Sequence, residues 1–229
     1  MENLKLSRKL LLISKLVKGK SVADVGCDHG KLPIYLALTK KDIKIYACDV
    51  RKKPLEKAKE NAKRFGVFEK IDFVLSDGLL NIPSFVDCVV VAGIGGKLIE
   101  RIIFEQSFVR NKNNRLILQP QSFLYDVRFN LYRNGFSIKK EWHIIEHKKC
   151  YDILFVYFKG KSEEIGLKKA VLGEDIKTKN FYDDGFLDIK IKREEKILDG
   201  LKIAKEKDFN KIEKQKAILK VLKEFKEKV

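Results

Sequence analysis

Along the first two thirds of the chain, short uninterrupted apolar runs alternate with segments whose apolar residues recur every three or four positions. The runs at 21–25, 43–49, 71–75, 86–92 and 115–118 read as strands, each short and bounded by polar or turn-forming residues. Helical spacing appears at 4–17, 32–38, 54–65, 98–103 and 127–134. Pro33 falls in the first turn of its segment, where a missing N–H costs least, while Gly66 and Gly135 stand just beyond two others. This alternation predicts βα units and a mainly parallel sheet rather than a sandwich or a bundle. The run at 86–92 has the continuous apolarity of a strand covered on both faces.

The pattern then changes. Residues 136–148 and 150–158 are two strand-like runs close together, which predicts an antiparallel pair at the sheet edge and brings the strands to seven. Beyond Gly160 the chain is highly charged. Within 186–229, Leu187, Ile191, Leu198 and Leu201 form one apolar stripe and Ile212, Leu219, Leu222 and Phe225 another, separated by a polar break at 208–210. Two helices in an antiparallel, coiled-coil-like hairpin fit this spacing. The expected organisation is an α/β domain at 1–160 followed by a helical domain at 161–229.

Composition narrows the class. An apolar fraction of 45% excludes a disordered basic tail, and the apolar stretches are too short to span a bilayer. No signal-peptide pattern is visible, so a soluble cytosolic protein is expected, with no membrane partner. Cys27, Cys48, Cys88 and Cys150 have neither CxxC spacing nor a His cluster, so neither a metal site nor a disulfide framework is expected. The net charge is +17, with Lys outnumbering Arg, as an AT-rich genome alone would produce. Its distribution says more. Up to Lys159 there are 30 basic and 17 acidic residues, net +13, and beyond it 19 and 15, net +4. A polyanionic partner is therefore expected on the first part, nucleic acid ahead of membrane.

The chemistry concentrates at strand ends. In Val22-Ala23-Asp24-Val25-Gly26-Cys27-Asp28-His29-Gly30 an acid lies inside a strand, and a turn with two glycines leads into a helix. Such a turn lets a ligand approach the backbone and face the helix N-terminus. G-x-x-x-G in place of G-x-G-x-x-G disfavours a pyrophosphate, whereas an in-strand acid suits a cationic ligand. S-adenosylmethionine carries both an ammonium and a sulfonium. Asp49 ends the second strand 23 residues after Gly26, the place of a ribose-binding acid, and Ser76-Asp77-Gly78 ends the third, where an acid can accept from an adenine amino group. Singly, each Asp is equally well read as a helix cap or turn former. Together they fit an adenosine ligand along the sheet's carboxyl edge. Val91-Ala92-Gly93-Ile94-Gly95-Gly96 offers a glycine-rich floor for a planar base, and Leu118-Gln119-Pro120-Gln121 offers amides to a base edge. The absence of an Asn-Pro-Pro-aromatic motif argues against an exocyclic amine as target.

These residues, in the runs 24–35, 91–99, 115–121 and 149–156, resemble the bacterial tRNA (adenine-N1)-methyltransferases of the TrmK type, which act on adenosine-22 of tRNA. The resemblance spans roughly residues 4–158. It implies a class I Rossmann-like methyltransferase with a coiled-coil appendage, S-adenosylmethionine as cofactor and tRNA as partner. The candidate cofactor-binding residues are Asp24, Gly26, Asp28, Asp49 and Val50, continuing through Asp77, Gly78, Ala92 and Gly93. Two positions depart from the family pattern, Lys31 where many relatives have Tyr and Gln121 where many have Asn. The base-stacking role is thereby left open among Tyr35, Phe123 and no aromatic at all.

Adenine N1 has a free lone pair, so its methylation needs in-line positioning rather than a strong base. Asp28 and His29, at the turn near the methyl end, are the candidates for stabilising charge on the adenine, and Gln119 for orienting it. His29 is equally well read as ordering its turn. N1 lies on the pairing edge, so the base must be unpaired or flipped out. Candidate substrate contacts are Arg8, Lys9, Lys31, Gly95, Gly96 and Pro120, the cations acting on phosphates. Two rival readings keep the fold, a methyltransferase of another RNA, a protein or a small molecule, and a non-catalytic RNA-binding module. The pattern fixes no oligomeric partner.

Overall fold

The computed structural model describes residues 4–173 and 185–228. Helix α1 (Arg8–Leu16) precedes strand β1 (Ser21–Val25), α2 (Lys31–Thr39), β2 (Lys44–Asp49), α3 (Lys52–Arg64), β3 (Ile71–Leu75) and β4 (Cys88–Ile94). Then come α4 (Gly96–Phe104), β5 (Arg115–Pro120), α5 (Leu124–Arg133), β6 (Phe136–Glu146) and β7 (Lys149–Phe158). Three further helices follow, α6 (Leu167–Leu172), α7 (Phe186–Ile203) and α8 (Phe209–Lys226).

The strands form one sheet in the order β3-β2-β1-β4-β5-β7-β6. The first five are mutually parallel, and β7 runs antiparallel to both β5 and β6. Winding proceeds outward from β1 to β3, then returns to lay β4 on the other side of β1. That reversal opens a crevice beyond the carboxyl ends of β1 and β4, the usual ligand site of a doubly wound sheet.

Residue alternation along the strands builds two cores. Val22, Ile45, Val90, Ile117 and Ile153 pack beneath α1, α2 and α3, while Ala23, Val89, Val91, Leu116 and Leu118 face α4 and α5. The second core also takes in Ala170 and Val171 of α6, Ile191 of α7 and Ile218, Leu219 and Leu222 of α8. The helical hairpin thus rests on the sheet. Four free cysteines are buried as small apolar residues.

The expected strands and helices are present, with shifted ends. Strand β4 starts at Cys88 because the Asp87 N–H is diverted to the Ser21 hydroxyl at 3.1 Å, while the Asp87 carboxylate accepts from the N–H groups of Lys20 at 3.0 Å and Ser21 at 3.2 Å. Strand β6 stops at Glu146, where His147 and Lys148 both take left-handed conformations and close a two-residue hairpin. Helix α6 is an element the periodicity did not suggest.

A buried ionic cluster ties these last elements together. Arg128 of α5, fully buried, donates to Glu141 of β6 at 2.5–3.2 Å and to the carbonyls of Ala170 and Val171 at 2.9 Å each. Beside it, Asp152 of β7 accepts from His143 Nδ1 at 2.7 Å and from Lys190 Nζ of α7 at 3.0 Å. Burial opposes the Asp152 charge, but Lys190, His143 and Arg128 hold its carboxyl well below the usual range. The interior therefore carries two guanidinium or ammonium groups against two carboxylates, and removing one leaves a partner uncompensated. Arg128→Met should lower unfolding free energy by about 3–5 kcal/mol in denaturant titration. A loss under about 1 kcal/mol would mean that the cluster contributes no more than a surface pair.

Candidate cofactor and substrate site

A cavity of about 670 Å³ lies at the carboxyl edge where the winding reverses. Its floor is the loop from β1 to α2. Gly26, Asp28 and Gly30 all adopt left-handed backbone conformations there, with φ of 73°, 51° and 72°. The N–H groups of Gly26 and Cys27 both donate to the Cys48 carbonyl, at 2.8 and 2.9 Å, which holds the loop down against β2. At Gly30 a Cβ would stand 2.9 Å from that of Ala58, so only glycine lets α3 approach this turn.

Three acids line the cavity in the spatial order of their strands. Asp24 on β1 is 6% exposed, and burial, together with the neighbouring Asp49 carboxylate, pushes its pKa up to about 7. Asp49, ending β2, is also buried and accepts the Arg51 N–H at 2.9 Å. Asp77, beyond β3, is gripped by both arms of Arg101 from α4 at 2.6 and 3.0 Å, which holds its carboxyl below the usual range. Gly78 sits so close to α4 that a Cβ would lie 2.9 Å from Ile102.

The nine residues expected at a cofactor, Asp24, Gly26, Asp28, Asp49, Val50, Asp77, Gly78, Ala92 and Gly93, all line this cavity, and so do His29, Lys9 and Lys31. Asp28 and His29 are open to solvent at its rim, their side chains 3.6 Å apart. Other expected residues lie elsewhere. Gly95 and Gly96 pack against the turn after β5, where Gly96 N–H donates to the Ser122 carbonyl at 3.1 Å and a Cβ would lie 2.5 Å from that oxygen. Arg8 is tied to the β6–β7 hairpin, donating through its backbone N–H to Glu146 at 2.6 Å and through its side chain to the Ile145 carbonyl at 2.7 Å. Gln119 and Pro120 line a second cavity of about 340 Å³ next to the first.

Sequence reasoning did not single out Arg101 or Tyr151. Arg101 follows Gly96 by five residues in an ordinary amphipathic helix, and no motif marks it. Lys9 bridges the two cavities: it lines the first, and its Nζ lies 5.0 Å from the ring centre of Tyr151, which lines the second. Burial lowers the Lys9 pKa, with Glu146 opposing. Among the described residues there is no cluster of three potential metal ligands, and no helix is long and apolar enough to cross a membrane.

Asp24 gives the protein a pH signature. Its folded pKa lies above the unfolded value of about 4, so the native state binds the proton more tightly. This contribution to stability is complete below about pH 4 and is lost as pH rises to about 7. Asp24→Asn should flatten that part of the profile of denaturant midpoint against pH, and an unchanged slope would mean that Asp24 ionises normally.

Comparison with known proteins agrees with this geometry. A family model described as a methyltransferase domain matches residues 6–154. The Bacillus subtilis tRNA (adenine(22)-N(1))-methyltransferase is 32% identical over 156 residues, which cover 67% of this chain and 66% of that protein. Streptococcus pneumoniae Sp1610, a candidate tRNA (m1A22) methyltransferase, has a solved structure that superposes with a TM-score of 0.79 at 30% identity, covering 96% of this chain and 99% of that one. Mycoplasma capricolum TrmK, solved with S-adenosyl-homocysteine, superposes at 0.72 with 26% identity over 96% of this chain and 98% of that one. With a Rossmann-like sheet, three strand-end acids around one cavity and these relatives, the chain belongs to the methyltransferase-domain family and, within it, to the TrmK-type tRNA (adenine-N1)-methyltransferases.

Proposed function

We propose that the protein transfers a methyl group from S-adenosylmethionine to N1 of adenosine-22 in tRNA. The observation that carries this reading is the buried Asp24 carboxyl, placed at the head of a cavity that continues past Asp49 and Asp77. A carboxyl raised to about 7 by burial and by a neighbouring acid is poised for a cation, because a positive charge beside it offsets both effects and favours the ionised form. When bound, the cofactor supplies an electrophilic methyl on a sulfonium.

The protein's part is to bind and orient. Asp24 receives the ammonium of the methionine moiety, Asp49 the ribose hydroxyls, and Asp77 the adenine amino group. Arg101 leaves each Asp77 oxygen a lone pair while keeping the group ionised, and so acceptor only. Gly26 and Gly93, at φ of 73° and 80°, bring bare backbone to the ligand. At the open rim, Asp28 and His29 face the cation that forms on the methylated adenine. No base need remove a proton from N1 before attack, so rate rests on alignment. The excess of cations over acids in residues 1–159 supplies the phosphate contacts that hold the RNA.

Two outcomes check this. Calorimetric affinity for S-adenosylmethionine should rise with pH up to about 7 as Asp24 ionises, then fall above about 8 as the ligand's amino group loses its proton. Asp24→Asn should weaken binding by an order of magnitude or more and remove the lower limb, and an unaltered affinity would refute the role given to Asp24. Methyl-labelled cofactor should mark an unmodified tRNA transcript but not the same transcript with guanosine at position 22. Equal labelling of both would exclude adenosine-22 as the target.

A further inference from the structure

The second cavity lies on the same carboxyl edge, on the β5 side of the first. In the reading above, the cofactor runs from adenine over β3 through ribose over β2 to methionine over β1. The sheet order continues to β4, β5 and β7, so the next position along the edge is where an acceptor would lie. Gln121 lines both cavities. At about 340 Å³ the second has room for a nucleoside, at the lower end of small-ligand sites.

Its lining has the chemistry of a base pocket. Gln119 is 1% exposed. Its amide nitrogen donates to the Pro120 carbonyl at 3.0 Å, but its Oε1 is buried without a hydrogen-bond partner among the described residues. A buried acceptor left unmatched is costly, and it suits a ligand that brings an N–H. Strand alternation puts Gln119 of β5 and Tyr151 of β7 on the same face as Ile117 and Ile153, toward α1. Tyr151 adds an aromatic surface to the cavity. Arg193 of α7 lines it too, its guanidinium 2.9 Å from Glu194, and Lys148 and Lys149 stand exposed at the hairpin turn. Tyr35 and Phe123 line neither cavity, which leaves Tyr151 as the aromatic placed to stack.

We infer that this second cavity receives the flipped-out target adenine, with Tyr151 against its face, Gln119 Oε1 accepting from its exocyclic amino group, and Arg193 of the C-terminal hairpin on the flanking phosphate. The inference rests on the tRNA-methyltransferase reading and adds the acceptor pocket to it. The amino group serves recognition here, while the adjacent N1 points toward the first cavity. An acceptor at Gln119 selects adenine over hypoxanthine or guanine, which present a carbonyl at that position. The C-terminal helices then belong to the active site, as one of its walls.

The test varies the base rather than the fold. Transcripts with adenosine or purine riboside at the methylated position differ only in the amino group, and both keep the N1 lone pair. Wild-type kcat/KM should favour adenosine by roughly tenfold or more. In Gln119→Met the adenosine rate should drop and that ratio should collapse toward the intrinsic reactivity difference of the free nucleosides. An unchanged ratio overturns the assignment. Arg193→Gln should raise KM for tRNA while leaving S-adenosyl-homocysteine affinity unchanged, and an unmoved KM removes Arg193 from the pocket. Should the wild type methylate no tRNA, the proposed function itself fails. The pocket is then read separately from titration of adenosine 5′-monophosphate into protein saturated with S-adenosyl-homocysteine. Weaker binding to Gln119→Met supports the pocket, and equal affinity overturns it.

Discussion

A carboxyl group buried where the sheet's winding reverses is the constraint from which the site follows. Asp24 lies on a central strand, flanked by β2 and β4, within reach of the Asp49 charge, and burial makes its ionised form costly. A fold built for stability alone would put a valine there, as it does at Val22 and Val25. The surrounding loop serves the same end. Its left-handed turns and its two hydrogen bonds to the Cys48 carbonyl hold it against β2 at the edge of the cavity that Asp24 lines. The cavity thus opens onto an acid whose charge both burial and Asp49 oppose.

A second constraint sits on the far side of β5. Arg128, Glu141, Asp152 and Lys190 form a buried, charge-balanced cluster linking α5, β6, β7, α7 and, through backbone carbonyls, α6. Buried ion pairs contribute little net stability over apolar packing, but they fix geometry, because each alternative arrangement strands a charge. Here the fixed quantity is the seat of α7 against β7. That seat carries Ile189 and Arg193 to the mouth of the second cavity, so the helical hairpin and the catalytic edge are held in register.

The parallel core was legible because its strands are buried on both faces, and continuous apolar runs such as that of β4 are hard to misread. The lining of the first cavity was legible for a related reason, since Asp24, Asp49 and Asp77 end or interrupt those runs and Gly26 and Gly78 follow two of them at positive φ. What escaped were interactions between segments remote in sequence. No motif marks Lys190 or Arg128 in the sequence, and only the fold shows them buried against Asp152 and Glu141. Helix α6 is six residues long and has no full apolar period. Gly95 and Gly96 looked like a floor for a base, whereas Gly96 is needed by the backbone of Ser122 pressed against it. Gln119 was noticed for its amide, but that it opens into a different cavity from Asp24 depends on β7 running antiparallel beside β5.

The central claim is that one adenine's N1 meets a methyl group at this edge. Nucleoside mass spectrometry of an unmodified tRNA transcript, after incubation with the protein and S-adenosylmethionine, tests it most directly. The account predicts 1-methyladenosine at a single site, position 22. N6-methyladenosine, methylation at another position or label found only in protein would contradict it.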